Sequence, residues 1–406
     1  MTRPIACLLG LFLLSGPVGA VPHPTPQWLV NAHLIDGRGE AGAPLVDVRL
    51  EQGHIAEIRP AVPNAVGLDL RGGYLLPGFV DAHAHIEDPA SARRALLSGA
   101  TTVRVLGDAY LKGLATRDLI RTGVIDGPEL LASGGHIRPR LGEPFILSFP
   151  QFGQYLESPL TGAENVREVA RAVIARGADV LKVGASERAG LAYTDPRRQE
   201  LSYEEIRAVV EEACRSGLYV AAHAHDRKGV AAAVRAGVRS IEHGTYVDDD
   251  TLQLMKHNGT FFVPTLAIMS PLGDPHGDSS EAIALQLRTR AMMRPLREAV
   301  RKAHALGITI AAGTDGTYGE GEGAAVRPAH EVEELIAAGL SPIEAISAAT
   351  YQSARVLGIE GRTGSVAVGL EADLVVVERD PRRDSSTLFE PVLVLSNGEQ
   401  VLNRLY

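Results

Sequence analysis

The sequence has very little cysteine. Its 406 residues include only Cys7 and Cys214, and Cys7 falls in an N-terminal segment that we expect to be removed. Cys214 would then stand alone, which excludes a disulfide within the mature chain even in an oxidising compartment. Packing, with or without a bound metal, must therefore hold the mature chain together.

Positive charge is sparse and scattered. The chain has 40 Lys and Arg against 49 Asp and Glu, a formal net charge of -9, and it contains no basic run. Nucleic acid is therefore not an expected partner. No GxGxxG or P-loop motif follows a strand candidate, so the sequence does not predict a phosphate-binding loop either.

The apolar run near the N-terminus, from Ile5 to Leu14, is too short to span a bilayer. It follows Arg3 and precedes the small residues 17–20, which is the order of a secretory signal. We expect residues 1–20 to be a signal peptide and the protein to be exported to the periplasm or the extracellular space, without stable membrane insertion after cleavage. The alternative is a retained segment that lies on a membrane surface.

Both ends of the remaining chain contain short segments in which apolar and polar residues alternate. Examples are "LVDVRLEQGHIAEIRP" in residues 21–75 and "EADLVVVERDP" in residues 362–406. Alternation of this kind indicates half-buried β-strands. We expect the two ends to pair into one small β-sandwich domain.

Residues 76–361 instead alternate short Val, Ile and Ala-rich runs with longer amphipathic stretches. In the stretch "SYEEIRAVVEEACRSG", Ser202 and Glu205 have the spacing of a capping box, and Gly217 follows as a helix stop. The pattern predicts an α/β fold, specifically a (β/α)₈ TIM barrel, rather than an open doubly wound sheet. The eight strand candidates are "GFVDAHAH", "TTVRVLGD", "ELLASGGH", "DVLKVGAS", "YVAAHAHD", "SIEHGT", "TFFVPTL" and "ITIAAGTD".

The first strand candidate ends with two histidines, His83 and His85. Alternate residues of a strand face the same way, so both imidazoles should point toward the barrel axis. A lone buried histidine is more often a hydrogen-bonded core residue than a metal ligand, and this pair alone does not decide between the two.

Four further polar residues stand near the ends of later strand candidates: Lys182, His223, His243 and Asp315. The carboxyl ends of parallel barrel strands lie on one face, where the active sites of such barrels are found. Imidazole and carboxylate donors without a thiolate suit zinc or a neighbouring divalent transition metal. The sequence therefore predicts a metal centre on this face.

This set of residues resembles the pattern of the amidohydrolase superfamily, specifically its binuclear members. Three motifs are most similar to the imidazolonepropionase- and prolidase-like branch. They are "LPGFVDAHAH", "GLYVAAHAHDRKGVAAAVRAGVRSIEHGT" and "SPIEAISAATYQSARVLG". The resemblance implies two divalent metal ions, with Zn²⁺ as the first candidate, and a homo-oligomer. It implies that His83, His85 and Asp315 hold the first metal, that His223 and His243 hold the second, and that N6-carboxylated Lys182 bridges both. The alternative for Lys182 is an ordinary solvated or ion-paired lysine.

The resemblance also implies a reaction. A metal-bridging hydroxide would attack a carboxamide carbonyl, and Asp315 would act as general base and then as general acid toward the leaving nitrogen. His136 and His225 are further catalytic candidates, as contacts to the substrate carbonyl. Arg138, Arg140 and Arg188 are candidates for binding a substrate carboxylate, and Tyr246 is a looser substrate-binding candidate. The alternatives are an ordinary loop histidine for His136, a role behind the metal ligands for His225, a solvated surface position for each arginine, and packing for Tyr246. Four further histidines, His257, His276, His304 and His330, are expected to be structural.

We therefore expect an exported, binuclear metal-dependent hydrolase that cleaves the peptide-like bond of a dipeptide or N-acyl amino acid with a free carboxylate. Hydrolysis of a cyclic amide (lactam or imidazolone) or deamination is one alternative, and a silent metal-binding envelope protein is another. The sequence leaves open the exact substrate, the native metal, the number of subunits and the arginine that would bind a carboxylate.

Overall fold

The computed structural model describes residues 27–40, 42–270, 278–320 and 326–405. The expected signal peptide at residues 1–20, Cys7 and His276 lie outside these ranges. Within them, no helix combines the length and apolar character that crossing a membrane requires.

The described residues contain sixteen strands and twelve α-helices. The strands are β1 (Gln27–Leu34), β2 (Leu45–Glu51), β3 (His54–Pro60), β4 (Leu68–Asp69), β5 (Tyr74–Pro77), β6 (Phe79–Ala84), β7 (Ala100–Val105), β8 (Glu129–Ala132), β9 (His136–Ile137), β10 (Leu181–Gly184), β11 (Val220–Ala224), β12 (Ser240–His243), β13 (Phe261–Val263), β14 (Leu374–Val377), β15 (Leu393–Ser396) and β16 (Glu399–Asn403). The helices are α1 (Pro89–Leu97), α2 (Lys112–Arg121), α3 (Glu143–Ser148), α4 (Ala163–Ala175), α5 (Tyr203–Arg215), α6 (Arg227–Ala236), α7 (Asp249–Asn258), α8 (Leu266–Met269), α9 (Ser280–Ala305), α10 (Pro328–Ala337), α11 (Pro342–Ser347) and α12 (Ser353–Leu357).

The two chain ends pair with each other. Their strands form one sheet in the order β16-β15-β14-β5-β1-β2-β3, with β4 beside β1. The junction is the antiparallel pair β5 and β14, in which Leu75 faces Val376. Because this pairing joins the two ends edge to edge, they make a single sheet, and the expected two-layer sandwich is not confirmed.

The middle of the chain is an α/β fold with parallel strands, as predicted. Strands β6, β7 and β8 form one parallel sheet, and β9 to β13 form a second. A single closed ladder of eight strands is not present in the described residues. The third strand candidate is divided by Gly134 and Gly135, whose φ angles are +64° and +145°, so β8 pairs with β7 while β9 pairs with β10.

The eighth strand candidate also lacks a continuous ladder. Residues 309–316 contribute only single bridges, from Ile310 to Phe262 beside β13 and from Gly316 to Ala84 in β6. Main-chain hydrogen bonds add to this link, since Ala82 N donates to Ala312 O at 2.9 Å. The segment therefore connects the edge of one parallel sheet to the edge of the other.

Amphipathic helices cover the parallel sheets. Helix α5 begins with a capping box. The Ser202 hydroxyl accepts from Glu205 N and the Glu205 carboxylate accepts from Ser202 N, which confirms the prediction. Its stripe of Ile206, Val209 and Ala213 is buried against the largest hydrophobic core. This core surrounds the strands that carry the polar residues predicted to form the site.

A buried carboxylate fastens the chain-end sheet. Asp373, directly before β14, accepts from Asn397 N at 2.8 Å and from the Thr363 hydroxyl at 2.9 Å. Burial nevertheless raises the pKa of Asp373 to about 6. Because the folded-state pKa lies above that of the unfolded chain, the stabilisation from this group is complete only when it is protonated, and it is lost as pH rises from about 4 to about 6.

We therefore expect the unfolding free energy of the wild type to fall relative to that of Asp373→Asn, by on the order of 2 kcal/mol, between pH 4 and pH 6.5. The asparagine keeps an acceptor for Asn397 N but does not titrate. Thermal or urea unfolding of both metal-free proteins across this range measures the difference. Parallel stability curves for the two proteins would contradict titration of Asp373 here.

Candidate metal centre and active site

The structure brings the six predicted metal ligands into one cavity of about 370 Å³. They arrive from β6 and the residue after it, from β10, β11 and β12, and from the 309–316 segment. Five of them lie in or directly after parallel strands, and Asp315 lies in the segment that links the two sheets, which is why residues far apart in sequence meet here. They are His83, His85, Lys182, His223, His243 and Asp315.

The first cluster consists of His83, His85 and Asp315, whose potential ligand atoms all lie within 4.8 Å of one another. Asp315 Oδ1 is 2.8 Å from His85 Nε2 and 3.2 Å from His83 Nε2. Burial alone would raise the pKa of Asp315, but the charges of both imidazoles and the His85 hydrogen bond hold it well below the usual range. Two nitrogens and an ionised carboxylate converging on one point form a donor set that suits a divalent transition metal.

The second cluster consists of three buried imidazoles, His223, His225 and His243, again with potential ligand atoms within 4.8 Å. The Nδ1 atoms of His243 and His225 lie 2.7 Å and 2.9 Å from the hydroxyls of Thr265 and Thr245. With Nδ1 engaged, Nε2 of each ring is left for a ligand. His225, which we expected to contact substrate, is thus placed among the possible metal donors.

Lys182 lies beside the first cluster, with Nζ 3.5 Å from His83 Nε2. Its side chain is buried, and no carboxylate in the described part of the chain lies within ion-pair distance of it. Burial lowers the pKa of Lys182 to about 8. A buried ammonium without an ion-paired anion is unfavourable, so the neutral amine of Lys182 is more accessible here than it is for a lysine in water.

Two of the predicted metal ligands have unusual backbone conformations. His243 has φ +74° and Asp315 has φ +51°. Residues with side chains are uncommon in this region, and such strain concentrates at functional sites. The turn at Asp315 is stabilised by Asp81, which accepts from Thr314 N at 3.0 Å, from the Thr314 hydroxyl at 2.6 Å and from the Tyr318 hydroxyl at 2.7 Å.

A buried charge pair behind the first cluster was missed from the sequence. Glu242 Oε2 lies 3.0 Å from His83 Nδ1, within ion-pair distance although not aligned as a hydrogen bond. Glu242 Oε1 lies 2.9 Å from Arg104 Nη2. Burial would raise the pKa of Glu242, but Arg104 and His83 bring it down to about 2. Charged residues inside the apolar strands "TTVRVLGD" and "SIEHGT" were the signal that could have revealed the pair.

Only some of the residues predicted to contact substrate border the main cavity. His136 and Arg188 line the main cavity, and Arg188 makes no ion pair in the described part of the chain. Arg138 is paired with Glu200 at 2.7 Å, and Arg140 lines only a neighbouring cavity of about 500 Å³. Tyr246 lines neither cavity. Of the three arginines, Arg188 is therefore the one available beside the clustered imidazoles.

Three histidines expected to be structural lie away from the clusters. His330 Nδ1 accepts from Arg327 N at the start of α10, and its ring packs on Phe389. His304 is 3.1 Å from Glu344 on the surface. His257 lies in the last turn of α7. None of these three belongs to either group of potential metal donors among the described residues.

Comparison with known proteins agrees with the geometry. Residues 74–401 match the sequence profile of the amidohydrolase family. The chain belongs to the amidohydrolase family. An ochratoxinase from Aspergillus niger is 32% identical over 362 residues, covering 79% of this chain and 73% of the relative. An imidazolonepropionase from Symbiobacterium thermophilum is 27% identical over 355 residues, covering 78% and 77%.

Solved structures show the same relationship. A Xaa-Pro dipeptidase crystallised with methionine in its active site superposes with a TM-score of 0.82 at 27% identity, over 93% of this chain and 99% of that one. These matches confirm the family and branch that the sequence motifs predicted. They also support a hydrolase that acts on carbon-nitrogen bonds of the amide type.

In this amidohydrolase we expect Glu242→Gln to weaken metal binding by about 10- to 100-fold, because the carboxylate that orients His83 is lost. The same change leaves Arg104 buried without an anion, which should cost on the order of 3 kcal/mol of stability. Chelator competition measures the affinity, and thermal unfolding measures the stability.

The matched control for this variant is Glu298→Gln, which removes a carboxylate from the exposed pair with Arg301. It should change stability by less than about 1 kcal/mol and leave metal affinity unchanged. Equal metal affinities in Glu242→Gln and the wild type would show that Glu242 does not orient His83.

Proposed function

We propose that this chain is an exported, binuclear metal-dependent amidohydrolase that cleaves the carboxamide bond of a dipeptide or an N-acyl amino acid with a free carboxylate. The observation that carries the proposal is the pair of three-donor clusters in one cavity with buried Lys182. Similarity to a Xaa-Pro dipeptidase supports a peptide-like bond. The signal-like residues 1–20 support export.

Two divalent cations are part of the proposal, with zinc as the first candidate. His83, His85 and Asp315 would hold one, and His223 and His243 the other, with His225 as an additional imidazole donor in that cluster. Carboxylated Lys182 would bridge them. When bound, such cations supply Lewis acidity toward a carbonyl and toward water. The proposed (β/α)₈ organisation is supported by the 309–316 segment, which bridges the two parallel sheets.

Asp315 is suited to move the proton. Its pKa is held well below the usual range, so it is ionised at neutral pH, and its side chain remains 23% exposed toward the cavity. A carboxylate in this position can accept a proton from the attacking water and deliver it to the departing nitrogen. The same side chain would then be regenerated as a base.

His136 and Arg188 are suited to hold the substrate. His136 Nε2 is buried without a hydrogen-bond partner among the described residues, and the ring borders the cavity. Arg188 extends from the loop after β10 toward the same space. A guanidinium there can bind a substrate carboxylate with two parallel hydrogen bonds, which also fixes the orientation of the amide.

Ring opening of a cyclic amide is the second candidate. The similarity to an imidazolonepropionase favours it. A substrate library that contains dipeptides, N-acyl amino acids, lactams and imidazolones, read by mass spectrometry on metal-reconstituted protein, separates the two functions. Hydrolysis confined to cyclic amides would replace the first proposal with the second.

We expect Lys182→Ala to lose metal from the wild-type content of two ions per chain and to lower kcat by at least about 100-fold, because the bridging ligand is gone. Metal analysis and steady-state kinetics measure both. Lys228→Ala, which changes an exposed lysine of α6, is the control and should match the wild type. One metal per chain with normal activity in Lys182→Ala would contradict a binuclear mechanism.

We expect Arg188→Gln to raise KM for a carboxylate-bearing substrate by about 10- to 100-fold, the effect of losing a charge-assisted hydrogen-bonded pair. KM for the same amide with a carboxamide in place of the carboxylate should change little. Arg138→Gln and Arg140→Gln are the comparison variants. If either of them produced the larger effect, the carboxylate would be assigned to that arginine instead.

A further inference from the structure

One wall of the catalytic cavity is apolar. Ile268 and Met269 of α8 and Leu285 of α9, two helices that contact each other, border the space that the clustered imidazoles also border. Leu106 after β7 also borders it. Ile268 and Leu285 remain partly exposed to this space. Ligand sites combine apolar walls with a few placed polar groups, and a volume of about 370 Å³ is near the lower end of their usual range. The cavity therefore suits a small molecule with an apolar part.

Helix α9 presents one face to this cavity. Leu285, Arg288 and Thr289 are spaced i, i+3 and i+4, so their side chains lie on the same side of the helix. Leu285 and Thr289 border the cavity directly. Arg288 does not border it but reaches the loop that follows β10.

The Arg288 side chain holds that loop in place through hydrogen bonds to the main-chain carbonyls of the loop. Nη1 donates to Ala189 O at 2.9 Å and to Leu191 O at 2.7 Å, and Nη2 donates to Ala192 O at 3.2 Å. A guanidinium can satisfy several carbonyls at once because its donors diverge in one plane. Leu191 O also accepts from Thr194 N at 3.2 Å, so the Arg288 guanidinium adds to a turn that is already hydrogen-bonded.

The same loop carries the cavity's available cation. Arg188 immediately precedes Ala189, and Arg188, Ala189 and Gly190 all border the cavity. The Thr194 hydroxyl also donates to Arg188 O at 2.5 Å, which closes the loop on itself. One face of α9 therefore contributes Leu285 to the apolar wall and also holds the loop that carries Arg188.

We propose that this wall, centred on Leu285, Ile268 and Met269, is a specificity subsite for a bulky apolar group, aromatic or branched aliphatic, on a carboxylate-bearing amide. Arg288 is the positioning residue that holds the Arg188 loop over the same molecule. The subsite deepens the proposed function, and the reaction that follows binding rests on that function. Binding of the apolar group does not depend on the proposed function.

Binding is tested without turnover. Propionate and 3-phenylpropionate differ only by a phenyl group, and isothermal titration calorimetry on the metal-loaded protein measures their Kd values. We expect 3-phenylpropionate to bind at least about ten-fold more tightly, the scale of filling an apolar pocket. Leu285→Asn should reduce this preference to about three-fold or less.

The control is Leu287→Asn, which makes the same substitution at a side chain that is 60% exposed on α9. It should keep the wild-type preference. Equal affinities of the wild type for the two acids, or equal loss of preference in Leu285→Asn and Leu287→Asn, would overturn the subsite.

Turnover separates the subsite from the reaction. For N-acetyl amino acids, the wild type should show a kcat/KM at least about ten-fold higher for N-acetylphenylalanine or N-acetylleucine than for N-acetylalanine. If it hydrolyses all of them without a size preference, the subsite is wrong and the function stands. If it hydrolyses none while the calorimetric preference holds, the function is wrong and the subsite stands.

The role of Arg288 is tested by Arg288→Gln, with Arg290→Gln, at an exposed site two residues further along α9, as control. Loss of three carbonyl contacts should raise KM about ten-fold for carboxylate-bearing substrates, leave kcat within about two-fold and leave KM for the matching carboxamide unchanged. A uniform loss of kcat, or a lowered melting temperature without the KM effect, would show that Arg288 only supports the fold.

Discussion

The site depends on a buried charge pair, Arg104 with Glu242 at 2.9 Å. The pair connects β7 of one parallel sheet with β12 of the other, and Glu242 also lies against His83 of β6. Removing either charge would leave the other buried and uncompensated, which costs several kcal/mol. Because the Glu242 carboxylate beside His83 needs Arg104 as its partner, the pair also fixes how the two sheets approach each other.

The cavity next to this pair has two kinds of lining. It is bordered by imidazoles whose neighbours hold them in place, including the Thr245 and Thr265 hydroxyls. It is also bordered by the apolar wall and the Arg188 loop. This combination suits a molecule with a polar amide next to an apolar group, since each part of the cavity is preorganised before the substrate arrives.

Membership in the amidohydrolase family explains why the site residues gather at the carboxyl ends of the parallel strands. It does not explain the shape of the cavity wall. The relatives carry names as different as ochratoxinase, imidazolonepropionase and Xaa-Pro dipeptidase. Function lives in sites placed on a shared fold. Residues on α8, α9 and the loop after β10 are therefore where this chain's own specificity must be sought.

The sequence by itself determined the family, the α/β class, the capping box of α5 and the six residues that the structure brings together. Strand periodicity and strong motifs are local, so they can be read without coordinates. Only the tertiary structure showed that Gly134 and Gly135 divide the third strand, that the chain ends make one sheet, and that His225 joins His223 and His243. It alone revealed Glu242 behind His83 and Arg288 over the loop, because contacts between residues about 100 to 160 positions apart leave no periodic trace in the chain.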